Sequence, residues 1–187
     1  MSLSERQSQI IDAALDLIAR GGIQNLTVKK IGSSLGITEP AVYRHFLNKA
    51  EIIKAMISCF DEAVPIGAGH LKGFDAIADF ARKRFRQVAG KPALAHVMFS
   101  EEIFMDDPDF IGLLLDMMHR HKKSLEKHFN EARELGEINS QISVNTFFRL
   151  FFGPVRLLIR QWAMCNHKFD LLAEGDDLLD SLRLLLK

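Results

Sequence analysis

The sequence predicts an all-α fold of about nine helices, and three observations carry that prediction. Apolar residues recur at spacings of three and four from one end of the chain to the other, the period of a single helix face. Alternating apolar and polar runs, the mark of a half-buried strand, are nearly absent. Capping residues, glycines and prolines fall where such helices would start and stop.

Taken in order, Ile10, Ile11, Ala14, Leu15, Leu17 and Ile18 line one side of a first helix, which Gly21-Gly22 ends. Thr27 can cap a short second helix running to about Leu35 and closed by Gly36, and Thr38 can cap a third through about Phe46. Asn48 with Glu51 three residues on is a capping-box pattern, opening a fourth helix through Ile52, Ile53, Met56, Ile57 and Phe60. Pro65-Ile66-Gly67-Ala68-Gly69 then interrupts the periodicity and marks a boundary between two units. Beyond it, Phe74, Ile77, Ala78, Ala81, Phe85 and Val88 repeat at helical spacing. Pro92 suits the first turn of a helix to about Phe104. Asp107-Pro108 starts a long helix that Gly136 stops, and Ser143 opens one to about Met164 that is apolar on more than one side. A last helix covers about Leu172 to Leu186.

The 187 residues allow one domain, or a small domain attached to a larger one. We place a first domain at residues 1–50, with a connecting helix at 48–63, and a second at 51–187. Lys plus Arg and Asp plus Glu both number 24, which excludes a uniformly basic nucleic-acid coat and an acidic disordered tail. A hydrophobic content of 48% is enough for a sizeable core. Cys59 and Cys165 stand far apart in apolar surroundings and read as buried free thiols in a reducing compartment. The polar start, Met1 to Gln7, lacks the apolar stretch of a signal peptide, and about 18 apolar residues never run together. A cytoplasmic protein with no membrane partner is the expectation.

The most specific pattern lies between Thr27 and Phe46, which reads as helix, glycine turn, helix. Val28, Ile31, Leu35, Ile37, Val42 and Phe46 can form a shared apolar seam against the first helix, Gly32 permits close approach, and Gly36 supplies the turn. This is the construction of a helix-turn-helix, whose second helix is sized for the major groove. Its wording, Thr-Val…Ile…Leu-Gly-Ile-Thr…Val-Tyr-Arg-His-Phe…Asn-Lys…Glu-Ile, closely resembles that of the Tet repressor (TetR) family over about residues 6–60. The resemblance implies a cytoplasmic homodimeric transcription regulator, usually a repressor, released from operator DNA by a small molecule. Two departures from the family pattern are Gly32, where Ala is frequent, and Pro40 in the first turn of the reading helix, where its missing amide has no intrahelical partner.

Roles follow from chemistry as well. Tyr43, the chain's single tyrosine, can reach a phosphate oxygen from mid-helix, or can be a half-buried core aromatic. Lys49 opens the fourth helix, where cation and helix N-terminus together can clamp a phosphate. Thr27 and Thr38 cap helices and meet phosphate by that position; Pro40 and Ala41 lie in the same first turn as Thr38. Lys29, Lys30, Arg44 and His45 are candidates for groove or backbone contact, with packing against the first helix the other reading for His45. Glu39 either accepts from a cytosine amine or, the reading we prefer, favours the helix dipole. Residues 24–49 thus carry four basic side chains against one acidic, a local excess that the overall neutrality hides.

Thirteen of the 14 Phe lie after residue 50, so the second unit has a greasy interior. For most of these side chains plain core accounts for the pattern. Adaptable Met98, Met105, Met117 and Met118 with Phe85, Phe99, Phe104 and Phe152 would also suit a roomy apolar pocket for a hydrophobic or aromatic effector. Arg84, Arg156 and His121 are the polar groups near that set, and either arginine could hold an anionic head group. Phe147, Phe151, Leu158 and Trp162, with Leu178, Leu182 and Leu185, are assigned to a four-helix dimer interface.

No Glu-x-x-His pair, phosphate-binding glycine loop, nucleophile elbow or paired-Cys motif is present, so no catalytic residue, metal or cofactor is assigned. Two other classes stay open at this level: a helical-bundle protein using its helix-turn-helix for a structural or protein-interaction role, and a metal-dependent helical-bundle enzyme.

Overall fold

The computed structural model describes residues 3–62, 70–98 and 108–187. Among them are nine α-helices and one short 3-10 turn, with no strand, and no described helix is long and apolar enough to cross a membrane. The chain divides into two compact units. The first comprises Met1–Glu62 with Ala93–Leu114, the second Ala63–Pro92 with Leu115–Lys187. The division therefore lies at the end of the fourth helix and beside the expected glycine–proline break, which itself falls outside the described residues.

In the first unit, α1 (Glu5–Gly21) starts at a reciprocal capping box: Ser4 Oγ accepts from the Gln7 amide at 3.2 Å, and Gln7 Oε1 accepts from the Ser4 amide at 3.0 Å. Its inward stripe of Ile10, Ile11, Ala14, Leu15 and Ile18 is at most 3% exposed. Against α1 pack α2 (Val28–Leu35), α4 (Lys49–Glu62) and α6 (Ala93–Met98), with α3 (Glu39–Tyr43) seated on α2. The whole apolar side of α4, Ile52, Ile53, Met56, Ile57 and Phe60, is buried. That burial places α4 with the first unit, whereas the boundary read from sequence puts residues 51–187 in the second.

The second unit is built from α5 (Gly73–Gly90), most of α7 (Pro108–Glu134), α8 (Val144–Met164) and α9 (Leu171–Leu186). Ser143 and Asp170 cap α8 and α9 through their side chains. A run of phenylalanines fills the interior. Phe147 stacks on Phe151 at 5.7 Å and tilts against Phe129 at 5.0 Å, while Phe151 meets Phe74 edge-on at 6.1 Å. Gly175 lets α9 approach α5 closely, because a Cβ there would lie 2.6 Å from the Phe85 ring.

The start of α5 is held from a distance in sequence. The Gly73 amide donates to Glu131 Oε2 at 3.3 Å and the Phe74 amide to Glu137 Oε2 at 2.9 Å, which satisfies two of the helix's orphan donors. His128 Nδ1 lies 2.9 Å from the same Glu131 oxygen. The His128 contact, then the Gly73 amide, hold the Glu131 carboxyl below its ordinary range. Arg183 bridges Asp75 and Glu137 and lies over the Phe74 ring, 4.7 Å from its centre.

The cysteines depart from expectation: neither forms a disulfide, but Cys59 is only partly covered and Cys165 is exposed, because it caps the end of α8 beyond the last buried turn.

Candidate nucleic-acid interface

The reading head begins with a capped helix. Thr27 adopts extended backbone and its hydroxyl accepts from the Lys30 amide at 3.2 Å, starting α2. Gly36, at φ 65°, ψ 29°, takes the left-handed conformation that ends α2, and the Ile37 amide returns to the Gly32 carbonyl at 2.9 Å. A Cβ at Gly32 would lie 2.8 Å from the Ile37 carbonyl oxygen. The close approach therefore seats the turn on α2, a more local role than the helix-to-helix contact expected of this glycine. Ile31 and Val42 are fully buried and Phe46 nearly so, which fixes the angle of α3 on α2.

Thr38 occupies the cap position of α3, but its side chain accepts no helix amide. Pro40 explains this: it removes one of the two amides within reach, and the other, from Ala41, already donates to the Thr38 carbonyl at 3.0 Å. The helix also ends earlier than expected, at Tyr43, where the His45 amide tightens onto the Val42 carbonyl. Asn48 caps α4 as its spacing predicts, accepting from the Glu51 amide at 2.9 Å. Glu51 in turn accepts from the Leu47 amide at 2.8 Å, one residue earlier than a standard box.

With the seam buried, the opposite side of the head presents Thr27, Lys29, Lys30, Thr38, Glu39, Pro40, Tyr43 and Arg44 to solvent. Tyr43 is 45% exposed, which removes it from the core and leaves its hydroxyl available. His45 is half-buried, and its carbonyl accepts from Gln7 Nε2 on α1 at 3.3 Å, in keeping with the packing reading. Lys49 is half-buried as well, with Nζ 3.4 Å from the Ile23 carbonyl. An ammonium carries three donors, so this contact leaves others for an anion. Leu47, 75% exposed beside the end of α3, was not singled out in the sequence. Tyr43→Phe is expected to keep the helical content seen by circular dichroism while weakening DNA binding several-fold, the effect of one lost phosphate hydrogen bond of about 1 kcal/mol. Loss of the fold would instead return Tyr43 to the core.

The effector candidates divide. Phe152 and His121 both meet Phe80, at 6.0 and 5.1 Å between ring centres, and Phe152 stacks on Phe148 at 5.7 Å. Arg84, 4% exposed, lies over Phe80 at 5.5 Å and donates to Gln87 Oε1 at 2.6 Å. Phe85 is enclosed under Gly175, and Met117 is buried. Met118 faces solvent at 48% exposure, because it follows buried Met117 by 100° around α7, and so does not line an interior. Arg156 is half-buried. Phe99, Phe104, Met105 and the side chain of Met98 lie outside the described residues.

The expected interface set is corrected by burial. Phe147, Phe151, Trp162 and Leu182 are at most 6% exposed inside their own unit, so they are not on a face that a second copy could touch. Leu158 and Leu178 are half-buried, and Leu185 is 79% exposed. The outward side of α8 carries Leu150, Leu157 and Met164 at seven-residue intervals, and α9 adds exposed Leu184 beside Leu185. Once packing turns Phe147 and Phe151 inward, the seven-residue repeat from Leu150 faces out.

A compact head with a capped glycine turn, a buried seam and an exposed Lys-Tyr-Arg surface defines a helix-turn-helix DNA-binding regulator. Comparison with known proteins places it more closely. Residues 10–56 match the family described as bacterial regulatory proteins, tetR family, and residues 69–186 match that described as YsiA-like protein, C-terminal region. The chain belongs to the tetR family of bacterial regulatory proteins, and is a ligand-responsive DNA-binding transcriptional regulator rather than an enzyme. It is 25% identical over 182 residues to the fatty acid metabolism regulator protein of Bacillus subtilis, covering 93% of this chain and 92% of the relative. The fold is shared with the fatty acid degradation regulator FadR of Bacillus halodurans, at TM-score 0.84 and 20% identity, covering 98% and 97% of the two chains. It is also shared with FadR of Bacillus subtilis solved in complex with stearoyl-CoA, at TM-score 0.77 and 24% identity, covering 94% and 96%.

Proposed function

We propose that the chain is a cytoplasmic, homodimeric repressor that reads a palindromic operator and is released by a fatty acyl thioester. The observation that carries the effector's class is the aromatic cluster in which Phe152 and His121 both meet Phe80, with the Arg84 guanidinium over the Phe80 ring. Such surroundings suit a long apolar ligand, since each apolar carbon taken from water contributes about 0.8 kcal/mol. The name of the Bacillus subtilis relative, a fatty acid metabolism regulator, supports the same class. Two copies meet through the outward faces of α8 and α9, with Leu150, Leu157, Met164, Leu184 and Leu185 at the seam.

On the DNA side, Lys29, Lys30, Tyr43, Arg44 and Lys49 hold phosphates and groove edges, and the twofold axis sets the half-site spacing. Within the first unit α4 follows α3 directly, and α6 packs on α1 and α4, so movement of α4 or α6 re-aims the reading helix. The effector acts by binding a DNA-incompetent arrangement more tightly, a shift of population that requires differential affinity. Fluorescence anisotropy with operator DNA tests this: stearoyl-CoA is expected to lower the affinity at least tenfold. An unchanged affinity in saturating acyl-CoA contradicts the proposal.

A further inference from the structure

A second concavity in the larger unit has a different chemistry from the aromatic cluster. It is a half-open cleft of about 550 Å³ lined by His70, Leu71, Lys72, Ser124, Lys127, His128 and Glu131. Three features make it a built surface. His128 is only 8% exposed, and its ring is oriented by Glu131, leaving Nε2 as the polar atom for anything in the cleft. Glu131 is itself fixed by the Gly73 amide, so the chain's one carboxylate in the lining is already engaged on the protein side. Lys72 makes no ion pair among the described residues, while Lys127 reaches Glu131 only at 3.8 Å and is 79% exposed. The lining therefore offers two ammonium groups, two imidazoles and a hydroxyl against that single engaged carboxylate. The first two amides of α5 are taken by Glu131 and Glu137, so the side chains, not the helix end, carry the site.

Its place on the helices matters too. The Gly73–Glu131 contact and the Phe80–His121 contact both join α5 to α7, in opposite chain directions. Seven residues along α5 and ten along α7 separate them, about 10–15 Å at the helical rise. A polar cleft and an aromatic, Arg84-containing cluster thus lie on one helix pair, a linker's length apart.

We infer that this cleft binds a phosphate group, and that it receives the phosphate-bearing end of the effector whose apolar end lies at the Phe80–Phe152 cluster. The second half rests on the function proposed above; the anion chemistry of the cleft does not. The probes are coenzyme A and inorganic pyrophosphate, titrated calorimetrically into the full chain and into Lys72→Ala/Lys127→Ala. Both positions are exposed, so the variant is expected to unfold at the wild-type temperature. Coenzyme A is expected to bind the wild type, to be displaced by pyrophosphate, and to bind the double variant about tenfold more weakly. A fatty acid without phosphate binds both proteins alike. Tighter binding of coenzyme A than of pyrophosphate assigns the cleft to an effector head; equal binding assigns it to free phosphates and overturns the second half. Coenzyme A affinity identical in the two proteins, or no displacement by pyrophosphate, overturns the site. Acyl-CoA that binds through these lysines without releasing DNA overturns the proposed function and leaves the cleft standing.

Discussion

Lys49→Ala is expected to bind every duplex about tenfold more weakly and to flatten the dependence of affinity on salt by about one unit of logarithmic slope. The reason is positional. Lys49 is the first residue of α4, where unpaired amides and the positive end of the helix dipole meet. Its ammonium is partly sheltered and anchored to the Ile23 carbonyl, which limits the conformational freedom lost on meeting a phosphate. Because a phosphate carries no sequence information, operator and random DNA should lose affinity together. Unchanged affinity and slope would leave Lys49 as a tie between α4 and the turn after α1 only. Helical content measured alongside separates a lost contact from a lost fold.

Phe151→Ala is expected to cost about 3–5 kcal/mol of stability, the range for a buried aromatic truncated to a methyl. Phe151 is fully buried and touches Phe74, Phe147 and Phe152 at ring-centre distances of 6.1, 5.7 and 5.4 Å, so three ring contacts disappear at once. Denaturant unfolding reads this directly. Leu157→Asp, six residues on and 56% exposed, is expected to leave the protomer folded and to shift sedimentation from dimer to monomer. The two variants separate the inward and outward sides of α8. A folded, stable Phe151→Ala protein with impaired dimerisation would restore the interface first expected from sequence.

Features of the fold that are decided within a few residues were legible in the sequence. Thr27, Gly36, Asn48 with Glu51, Ser143 and Gly136 mark helix ends where the structure has them, because each cap is an interaction with an amide or backbone angle three or four positions away. Thr38 shows the limit of that rule, since a proline two residues on removed the amide its side chain would have met. Longer-range choices were not legible. Nothing local announces that α6 returns to α1, or that the carboxylates capping α5 come from 58 and 63 residues further along. The buried seam of the reading head could be listed from periodicity, whereas the sequence left Tyr43 open between core and surface until packing exposed it. The dimer face could not be chosen in the same way. α8 is apolar around most of its circumference, and only packing shows that Phe147 and Phe151 turn inward and Leu150 and Leu157 outward.

A twofold-related pair of these heads is expected to read DNA. Selection of genomic fragments bound by the full chain, followed by alignment of what is enriched, tests it most directly. The enriched fragments are expected to share an inverted repeat whose two half-sites are held at one fixed spacing, bound more weakly by the Tyr43→Phe and Lys49→Ala proteins. Enrichment of single, unpaired half-sites, or recovery of fragments with no shared sequence, would contradict it.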